Sequence, residues 1–569
     1  MRRNYFKLLL VFSGIVAISS CKKLMDINTD PDRIPDVNPP MGQLLPSAQV
    51  NVAFEGGSDL FRYATLIMQQ MSGEASQPNQ TFDYYRYNIT GSDQNNVWGS
   101  IFATTLGDLE LVIKQAAATT SPHFSGVAKI LKAYEYSLAV DTWGDVPYNE
   151  AQQLSNNLQP HYDDDATIYP KLITLLNEGI TEVSAATSSF SPGAANSVIY
   201  PGTFTTVRAN WIKLANTLKL RLFLHYSKKD PAFSLAQMTA LINTGGVTFF
   251  ASNADNFKLD FYNVPNQRNP ISAFEVSRAN YLFADAKMVG MMNTKNDPRR
   301  SYYFTSFPFQ GIALPVTLTT SVATAAGNVL PFAATTGVAI GQSVSGTNIV
   351  PGTNVTAVTA TSITLSNNIS GAIGQGGSVV ISPNAFLGVS GAAPPAAANT
   401  NYSRVHTFLR GAVTAGTAPP FTYSGAAPQR MMTYSEYCFI RAEAALMGAP
   451  GSAQQFFTDG ITASMQEVGV SAVDITNYLA VNGTLAGTNA QKLQQIIEEK
   501  YIALFGVSVE PWTDYRRTGY PALAVPVNAI TTVTAVPRSL FYPQSEIDLN
   551  PNHPPQKAAA LQDKVFWDQ

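Results

Sequence analysis

The chain has 569 residues, of which 13% are charged, and its formal net charge at pH 7 is −3. This nearly neutral balance argues against a nucleic-acid partner, because such partners usually require a basic patch. The length suffices for one large core or for two domains. Two cysteines are too few for a disulfide framework.

Residues 1–20 have the order of a bacterial secretory signal peptide. Basic residues precede the apolar run Leu8–Ile18, and two serines then lead to Cys21. The run is about half of the roughly 20 residues that a membrane-spanning helix needs. The end of the segment fits a lipobox, in which the thiol of Cys21 is acylated and becomes the new N-terminus; the alternative is an ordinary signal peptide with an incidental cysteine. We therefore expect a protein that is tethered to a membrane by lipid without crossing it.

Residues 21–45 are rich in Pro and Asp, which predicts an extended tether between the lipid and the folded body. Asp26, Asn28 and Asp30 imitate the start of a calcium-binding loop. However, Pro31 stands where that loop needs glycine, so we assign no cation site to this segment.

Residues 46–315 and 383–569 predict a mainly α body. Apolar residues recur at helical spacing from Asp59 to about Lys229. Helical hairpins in such numbers indicate a stacked scaffold of tetratricopeptide-like helical pairs, although no clean repeat recurs in the sequence. Later helices are predicted over Tyr434–Gly448, Ala453–Val468 and Asn489–Phe505.

Two chemically reactive features of this body have a structural interpretation. Asp163, Asp164 and Asp165 precede a predicted helix, where carboxylates cap the helix and interact well with its dipole; a metal or catalytic site is the alternative. Cys438 lies in an apolar helical pattern and is expected to be a buried small hydrophobic side chain. We predict no metal and no cofactor.

The stretch 316–382 departs from the helical pattern. Short β-branched runs alternate there with Gly, Pro and Asn, which predicts a small all-β insertion in the helical host. Not one Asp, Glu, Lys, Arg or His occurs between Ser301 and Ser403. The insertion is either a surface-binding module or an inert decoration.

Several segments of the helical body combine aromatic, charged and Pro residues. The densest, Glu510–Arg517, holds carboxylates beside arginines. Paired Arg–carboxylate networks that lock helix ends are commoner than catalytic sites of this composition, so we expect a structural role. Trp143 and Asp145 receive the same interpretation, as a turn in which the tryptophan packs and the aspartate caps. The segments are Asp141–Tyr148, Asn296–Arg299, Ser435–Ala444, Glu498–Phe505, Glu510–Pro521, Pro537–Arg538 and Phe541–Glu546.

Together with the lipobox, these segments resemble the SusD/RagB family of outer-membrane nutrient-binding lipoproteins, and in particular its SusD-like branch. The resemblance covers nearly the whole chain apart from 316–382. It implies a helical scaffold that packs on a SusC-type TonB-dependent barrel of the outer membrane. It also implies capture of an oligosaccharide, or of a peptide, for delivery into that barrel without catalysis.

Two polar and aromatic segments are candidate ligand contacts, because aromatic faces stack on sugar rings while Arg and Asn hydrogen-bond hydroxyl groups. In the alternative interpretation, the aromatic rings of the first segment pack the first helices together. The first segment supplies Tyr84, Tyr85, Arg86, Tyr87, Asn96 and Trp98, and the second supplies Asn266 and Arg268.

Two other functions compete with nutrient capture. A surface glycosidase would need two carboxylates at a defined separation, and no recognisable motif pairs them. A cell-surface adhesin would use the insertion 316–382 as its binding module. Loss of ligand binding on deletion of that insertion would favour the adhesin.

Overall fold

The computed structural model describes residues 39–569 apart from ten short internal stretches. Cys21, the calcium-like segment and most of the predicted tether lie outside the described residues. The predicted mainly helical fold is confirmed. The stretches left out are 74–78, 154–155, 280, 307–315, 339, 341, 351–352, 383–385, 390–401 and 417–420.

Helices dominate both the N-terminal and the C-terminal parts of the chain. In chain order they are α1 (Met41–Gly57), α2 (Asp59–Ile67), α3 (Gln80–Tyr85), α4 (Gly91–Trp98), α5 (Leu106–Ala118), α6 (Pro122–Trp143), α7 (Asp165–Val183), α8 (Phe204–His225), α9 (Pro231–Asn243), α10 (Pro270–Ser277), α11 (Ala286–Thr294), α12 (Arg300–Tyr303), α13 (Thr407–Arg410), α14 (Tyr434–Met447), α15 (Ala453–Val468), α16 (Ala472–Asn482), α17 (Asn489–Ala503), α18 (Glu510–Thr518) and α19 (Gln544–Leu549).

Strands are short and form small antiparallel sheets. They pair as β1 with β3, β2 with β12, β10 with β11, and as two three-stranded sheets in the orders β4-β9-β6 and β5-β8-β7. The strands are β1 (Met71–Gly73), β2 (Phe257–Leu259), β3 (Leu282–Ala284), β4 (Val316–Thr319), β5 (Val329–Pro331), β6 (Ser343–Gly346), β7 (Val355–Val358), β8 (Ser362–Leu365), β9 (Ser378–Ser382), β10 (Val413–Ala415), β11 (Thr422–Tyr423) and β12 (Gln429–Met432).

Consecutive helices pack against each other, as α5 does on α6, α6 on α7, α7 on α8 and α14 on α15. Two glycines lie where α6 and α7 cross. A Cβ at Gly126 of α6 would lie 2.8 Å from the carbonyl oxygen of Gly179, and a Cβ at Gly179 would lie 2.8 Å from the side chain of Ile130. The absence of side chains at these two positions therefore lets α6 and α7 approach closely.

The first helix begins earlier than the sequence predicts. The range 21–45 was expected to be an extended tether, but α1 starts at Met41, directly after Pro40. Leu44 and Leu45 are buried on the core side of this helix. The prolines near this position favour extended chain locally, yet burial of the apolar helix face outweighs that preference.

The residues from Val316 to Ser382 form a separate all-β unit with its own apolar core. Leu330, Ile363 and Val379 are fully buried within it. The first and last strands, β4 and β9, are paired, with Val316 opposite Ile381. The two ends of this unit therefore lie beside each other, as an insertion into another fold requires.

A buried ion-pair network joins the late helices to α8. Arg517 of α18 donates to both carboxylate oxygens of Glu443 in α14, at 2.7 and 2.9 Å. Lys500 of α17 contacts Glu510 at 2.9 Å and Asp514 at 2.7 Å. The interpretation of this charged segment as a structural network is thus confirmed.

Arg221 of α8 extends the network, and Arg299 is the centre of a second buried group. Arg221 donates to both oxygens of Glu436, each at 2.7 Å. Arg299, fully buried, pairs with Asp297 and also with Glu499 at 2.9 Å. Such pairs persist in an interior because each charge is matched and hydrogen-bonded.

Glu55 of α1 and Glu135 of α6 form a buried acid pair. They are 2% and 0% exposed, and the two carboxyl groups interact with each other. The hydroxyl of Thr105, at the end of a π-helix over Gly99–Thr105, donates to Glu55 at 2.7 Å. Burial raises the pKa of both carboxyl groups, and the charge of Glu55 raises that of Glu135 further. Burial and the mutual interaction of the pair therefore favour its protonated form over the ionised one.

Cys438 is a buried free cysteine in α14, as predicted. Burial raises the pKa of its thiol to about 12, which keeps the reactive thiolate rare at neutral pH. Among the described helices, none has both the length and the apolar character that crossing a bilayer requires.

Glu135→Gln is expected to increase the free energy of unfolding at pH 8 by about 1–2 kcal/mol, because an amide supplies the hydrogen that the pair must otherwise take up as a proton. The pKa of Glu135 is raised above its ordinary 4.5 in the folded state. Protonation of Glu135 thus stabilises the folded state fully below about pH 4.5, and this contribution is lost as the pH rises above that value. Urea unfolding at pH 5 and 8 measures the effect, which should shrink at pH 5. Glu178→Gln, at a half-exposed carboxylate, is the control; an effect of Glu135→Gln of the same size at both pH values, or a loss of stability at pH 8, would contradict the raised pKa.

The thiol of Cys438 should react with Ellman's reagent only as fast as the protein unfolds. The measurement uses residues 22–569, in which this thiol is the sole one. We expect no reaction over an hour in buffer at pH 8 and one equivalent released in urea. Rapid labelling of the folded protein would show that α14 opens locally.

Candidate functional site

The three tyrosines of the first predicted segment belong to α3 and the turn after it. Tyr84, Tyr85 and Tyr87 each expose at most 1% of their surface. The hydroxyl of Tyr84 donates to Asp93 at 3.0 Å, and that of Tyr85 donates to Asp285 at 2.9 Å. Rings that are buried so completely present no face to a sugar. The structure is therefore at odds with ligand contacts by these rings and places them where they pack the first helices together.

Trp98 of the same segment is also a core residue, with 5% of its surface exposed. Its ring stacks on Phe102 at 4.2 Å and meets the edge of Trp143 at 5.1 Å. The prediction that Trp98 contacts ligand is corrected in the same way. Asn96 is exposed and Arg86 is half-buried, so these two predicted residues keep polar groups at the surface.

The second predicted segment is a surface loop directly before α10. Tyr262 is 59% exposed, and its backbone N–H donates to the carbonyl of Gln267 at 2.8 Å. Asn266 is exposed at a φ of 62°, a left-handed conformation that asparagine tolerates. Arg268 is half-buried, and its alkyl chain fills the space beside Gly425. The loop thus holds a fixed shape with an aromatic ring at the surface.

Asn269 attaches this loop to the rest of the fold. Its side chain accepts from the N–H of Ile271 and so caps α10, while its amide donates to the carbonyl of Ala427 at 3.2 Å. Its backbone N–H donates to the carbonyl of Gly425 at 2.9 Å. Pro270 follows at the first helical position, where its fixed φ suits a helix start.

Tyr281 connects the two predicted segments. The hydroxyl of Thr81 in α3 donates to the carbonyl oxygen of Tyr281 at 2.7 Å. The ring of Tyr281 meets the ring of Phe274 in α10 edge-on at 6.1 Å. Tyr281 therefore contacts both α3 and α10.

Arg268 precedes α10 and Arg278 follows it, while Arg404 precedes α13 and Arg410 ends it; we call these four residues the arginine strip. Glu275 of α10 is the carboxylate among them, 3.7 Å from a terminal nitrogen of Arg410. Burial raises the pKa of Glu275, and the charges of Arg410 and Arg404 oppose that rise. Arg268 is included because its alkyl chain lies beside Gly425. The backbone N–H of Gly425 in turn donates to the carbonyl of Arg410 at 2.9 Å.

Aromatic rings hold the guanidinium groups of the strip in place. Arg404 lies 3.6 Å from the ring centre of Phe283, and Arg410 lies 4.0 Å from that of Tyr423. Cation–π contacts at this distance fix a planar guanidinium over a ring face. The strip thus combines preorganised cations with aromatic surface.

His406 borders the strip as a neutral group. Its Nδ1 lies 2.8 Å from the hydroxyl of Tyr423, and its ring lies 5.6 Å from that of the half-buried Phe421. Burial lowers the pKa of His406 to about 4, and the charge of Arg410 contributes in the same direction. The imidazole therefore carries no charge at neutral pH and offers hydrogen bonds instead.

Asp145, Asp164 and Asp165 bring three carboxylates together near the start of α7. Asp164 accepts from the N–H of Ala166 at 3.0 Å and caps α7, which confirms its predicted role. Asp145 accepts from the N–H of Asp165 at 2.9 Å, as its predicted capping role requires. These oxygens thus accept the backbone donors of a helix start.

Sequence reasoning identified Arg268 but missed the other three arginines of the strip. One signal was present: no Asp or Glu occurs from Pro298 to Ser435, although Arg404 and Arg410 lie in that stretch. Arginines without acidic neighbours in sequence can still pair with carboxylates that the fold brings close, as Arg410 does with Glu275. The local lack of acidic residues is therefore informative only when the tertiary contacts are known.

Comparison with known proteins identifies relatives of the whole scaffold. Residues 32–312 and 388–543 match the model of the SusD-like_2 family, described as "Starch-binding associating with outer membrane". The match omits 313–387, which contains the all-β unit. No curated protein sequence matches the chain significantly.

Solved structures of similar fold include proteins from Flavobacterium and Bacteroides species. A chitin-binding SusD homologue from Flavobacterium johnsoniae is 20% identical, with a TM-score of 0.66, and the match covers 93% of this chain and 98% of that one. A SusD homologue from Bacteroides uniformis is 20% identical at a TM-score of 0.62, covering 92% and 99%. A SusD/RagB family protein from Bacteroides thetaiotaomicron is 17% identical at 0.64, covering 93% and 98%.

Proposed function

Because this chain belongs to the SusD-like family, whose model is described as starch-binding and outer-membrane-associated, we propose that it captures an oligosaccharide at the cell surface. The captured ligand then passes to a SusC-type TonB-dependent barrel in the same membrane. The protein performs no chemistry on the ligand.

The exposed ring of Tyr262 carries the binding role. It lies 59% exposed on a loop whose ends are fixed by hydrogen bonds, so its face is available for stacking without reorganisation. Asn266 and Arg268 in the same loop add hydrogen-bond donors and acceptors for sugar hydroxyls. A preformed aromatic surface with a few convergent polar groups is what oligosaccharide recognition requires.

The N-terminal segment supplies the membrane attachment in this proposal. Acylation of Cys21, which lies outside the described residues, would anchor the protein to the outer membrane. The chain from Cys21 to Met41, where α1 begins, spans at most roughly 70 Å when fully extended. That reach is enough to let the folded body sit on a partner barrel.

A glycosidase activity fits the site less well than binding does. Hydrolysis of a glycosidic bond needs two carboxylates, about 5 Å apart for retention or about 6.5–9.5 Å for inversion. In the described part of the chain, Glu275 is the carboxylate that contacts the arginine strip, and it is 5% exposed. A buried acid beside an arginine serves to position the arginine.

An adhesin is the second candidate, and the independence of the all-β unit favours it. This unit has its own core and lies outside the family match. Thr317, Thr319 and Ser345 are exposed on one sheet, so that face presents hydroxyl groups without charge. The two candidates differ in which part of the chain contacts ligand.

Tyr262→Ala should weaken oligosaccharide binding about tenfold or more, since stacking of an aromatic ring on a sugar is lost. Isothermal titration of residues 22–569 against neutral and acidic oligosaccharides, with peptides as a further set, measures this. Phe190→Ala is the matched control, because Phe190 is 56% exposed on a different loop. That loop contacts Gly42 at the start of α1, whereas Pro270 of α10 lies beside Gly57 at the end of α1. The two ends of α1 are about 25 Å apart. Equal binding by both variants would place the ligand elsewhere. Tight binding of peptides alone would identify a peptide, instead of an oligosaccharide, as the ligand.

Replacement of residues 316–382 by a short Gly-Ser linker should leave ligand affinity unchanged within about twofold. The paired ends of the unit, at Val316 and Ile381, make this deletion compatible with the helical fold. Circular dichroism checks that the helices persist. Loss of ligand binding in a folded deletion variant would favour the adhesin instead.

A further inference from the structure

We infer that Ser191 is a nucleophile, activated by His123, that takes an acyl group from activated esters. We call these two residues the dyad. This activity goes beyond the proposed capture function and belongs to a different part of the molecule. The dyad forms where the loop after α7 packs on the start of α6, and Oγ of Ser191 lies 2.7 Å from Nδ1 of His123. A serine hydroxyl within hydrogen-bond distance of an imidazole is the first requirement for nucleophilic catalysis.

The second ring nitrogen of His123 determines the direction of that hydrogen bond. Nε2 lies 2.9 Å from the backbone carbonyl oxygen of Ala185, which can only accept a hydrogen bond. In the neutral imidazole, Nε2 therefore carries the hydrogen and Nδ1 carries the lone pair. The hydroxyl of Ser191 then donates to Nδ1, which is the direction in which a general base takes the proton of a serine.

Packing holds the imidazole in this orientation. The ring of His123 stacks on the ring of Phe204, with the ring centres 4.2 Å apart and the planes inclined by 22°. His123 is only 8% exposed. The carbonyl of Ala185 orients the ring and fixes its tautomer, as the carboxylate does in a Ser-His-Asp triad.

Ser191 itself is an exposed residue of a loop that is held on both sides. Before it, the hydroxyl of Ser188 accepts from the backbone N–H of His123 at 3.4 Å and donates to the carbonyl of Phe190. After it, Pro192 is buried. A reagent can therefore reach Ser191 from solvent, while its neighbours keep it beside the imidazole.

The buried His225 provides a contrast. Its ring nitrogens contact the hydroxyl of Tyr169 at 2.8 Å and the carboxylate of Glu510 at 3.2 Å. These three residues are at most 4% exposed, so their contacts stabilise the core. The dyad differs because its hydroxyl belongs to an exposed residue.

The reaction is an acyl transfer in two stages. Oγ of Ser191 bonds to the carbonyl carbon of the ester while its proton passes to Nδ1 of His123. The C–O bond to the leaving alcohol then breaks, and the alcohol takes that proton. Water repeats both steps on the acyl-serine, which releases the carboxylic acid and restores the serine. His123 is the second residue of the 22-residue helix α6, so negative charge on the attacked oxygen develops near the positive end of a helix dipole.

The carbonyl of Ala185 also limits the class of substrate. A carbonyl oxygen bears only a partial charge, so it stabilises the imidazolium that forms during attack less than a carboxylate would. A good leaving group must compensate for this difference. The substrates are therefore activated esters, such as aryl esters, rather than alkyl esters or amides.

The test treats the purified protein with a fluorophosphonate and, separately, with 4-nitrophenyl acetate. The fluorophosphonate transfers its phosphonyl group to a nucleophilic serine and releases fluoride, and mass spectrometry locates the adduct. The absorbance of 4-nitrophenol reports hydrolysis of the acetate. We expect Ser191 to be labelled about 100-fold or more faster than Ser189, an exposed serine of the same loop, because general-base catalysis acts only on Ser191.

Variants assign the two roles. Ser191→Ala should remove the adduct and lower hydrolysis of the acetate about tenfold or more. Ser189→Ala is the matched control and should change neither rate. His123→Gln should slow labelling of Ser191 about 100-fold, since the general base is lost. Thermal unfolding checks the fold of each variant, and Ser191→Ala removes only the hydroxyl of an exposed residue.

Two results would overturn the inference. One is the absence of an adduct, or labelling of Ser191 no faster than that of Ser189. The other is labelling of Ser191 at an unchanged rate in a folded His123→Gln variant. Neither result bears on the proposed capture function, because oligosaccharide binding is measured separately.

Discussion

The fold depends on charges that are matched inside the core. Arg221, Glu436, Lys500, Glu510 and Arg517 belong to helices far apart in sequence, and their ion pairs connect α8, α14, α17 and α18. Removal of one partner from such a network leaves an uncompensated buried charge, which typically costs about 3–5 kcal/mol. The helices are therefore held in one relative arrangement, because a shift of any one of them would break several bonds at once.

Charge inside the core is handled in more than one way. Arg221 and Arg517 pair with carboxylates, whereas burial raises the pKa of Glu55 and of Glu135 and so favours their neutral forms. Beside α10, the guanidinium groups of Arg404 and Arg410 stack on aromatic rings, and Arg410 also pairs with Glu275. Stacking on a ring face holds a planar guanidinium in one orientation.

The all-β unit shows a different relation between parts. Its core does not merge with the helical core, and its ends meet at the pairing of β4 with β9. An element of this kind adds a surface without altering the scaffold that carries it. The same scaffold is found in SusD-like relatives that share only about a fifth of their residues with this chain. The scaffold therefore tolerates the replacement of most of its residues.

Local patterns in the sequence determined much of the architecture: the helical periodicity, the change to β-branched alternation between 316 and 382, and the capping aspartate Asp164. These features depend on neighbours along the chain, so a single sequence reveals them. Tertiary structure alone decided that Tyr85 is buried, because its partner Asp285 is 200 residues away. It also assembled the arginine strip from two distant segments. An aromatic or an arginine has the same local pattern whether it packs in the core or faces a ligand, and only long-range contacts separate the two.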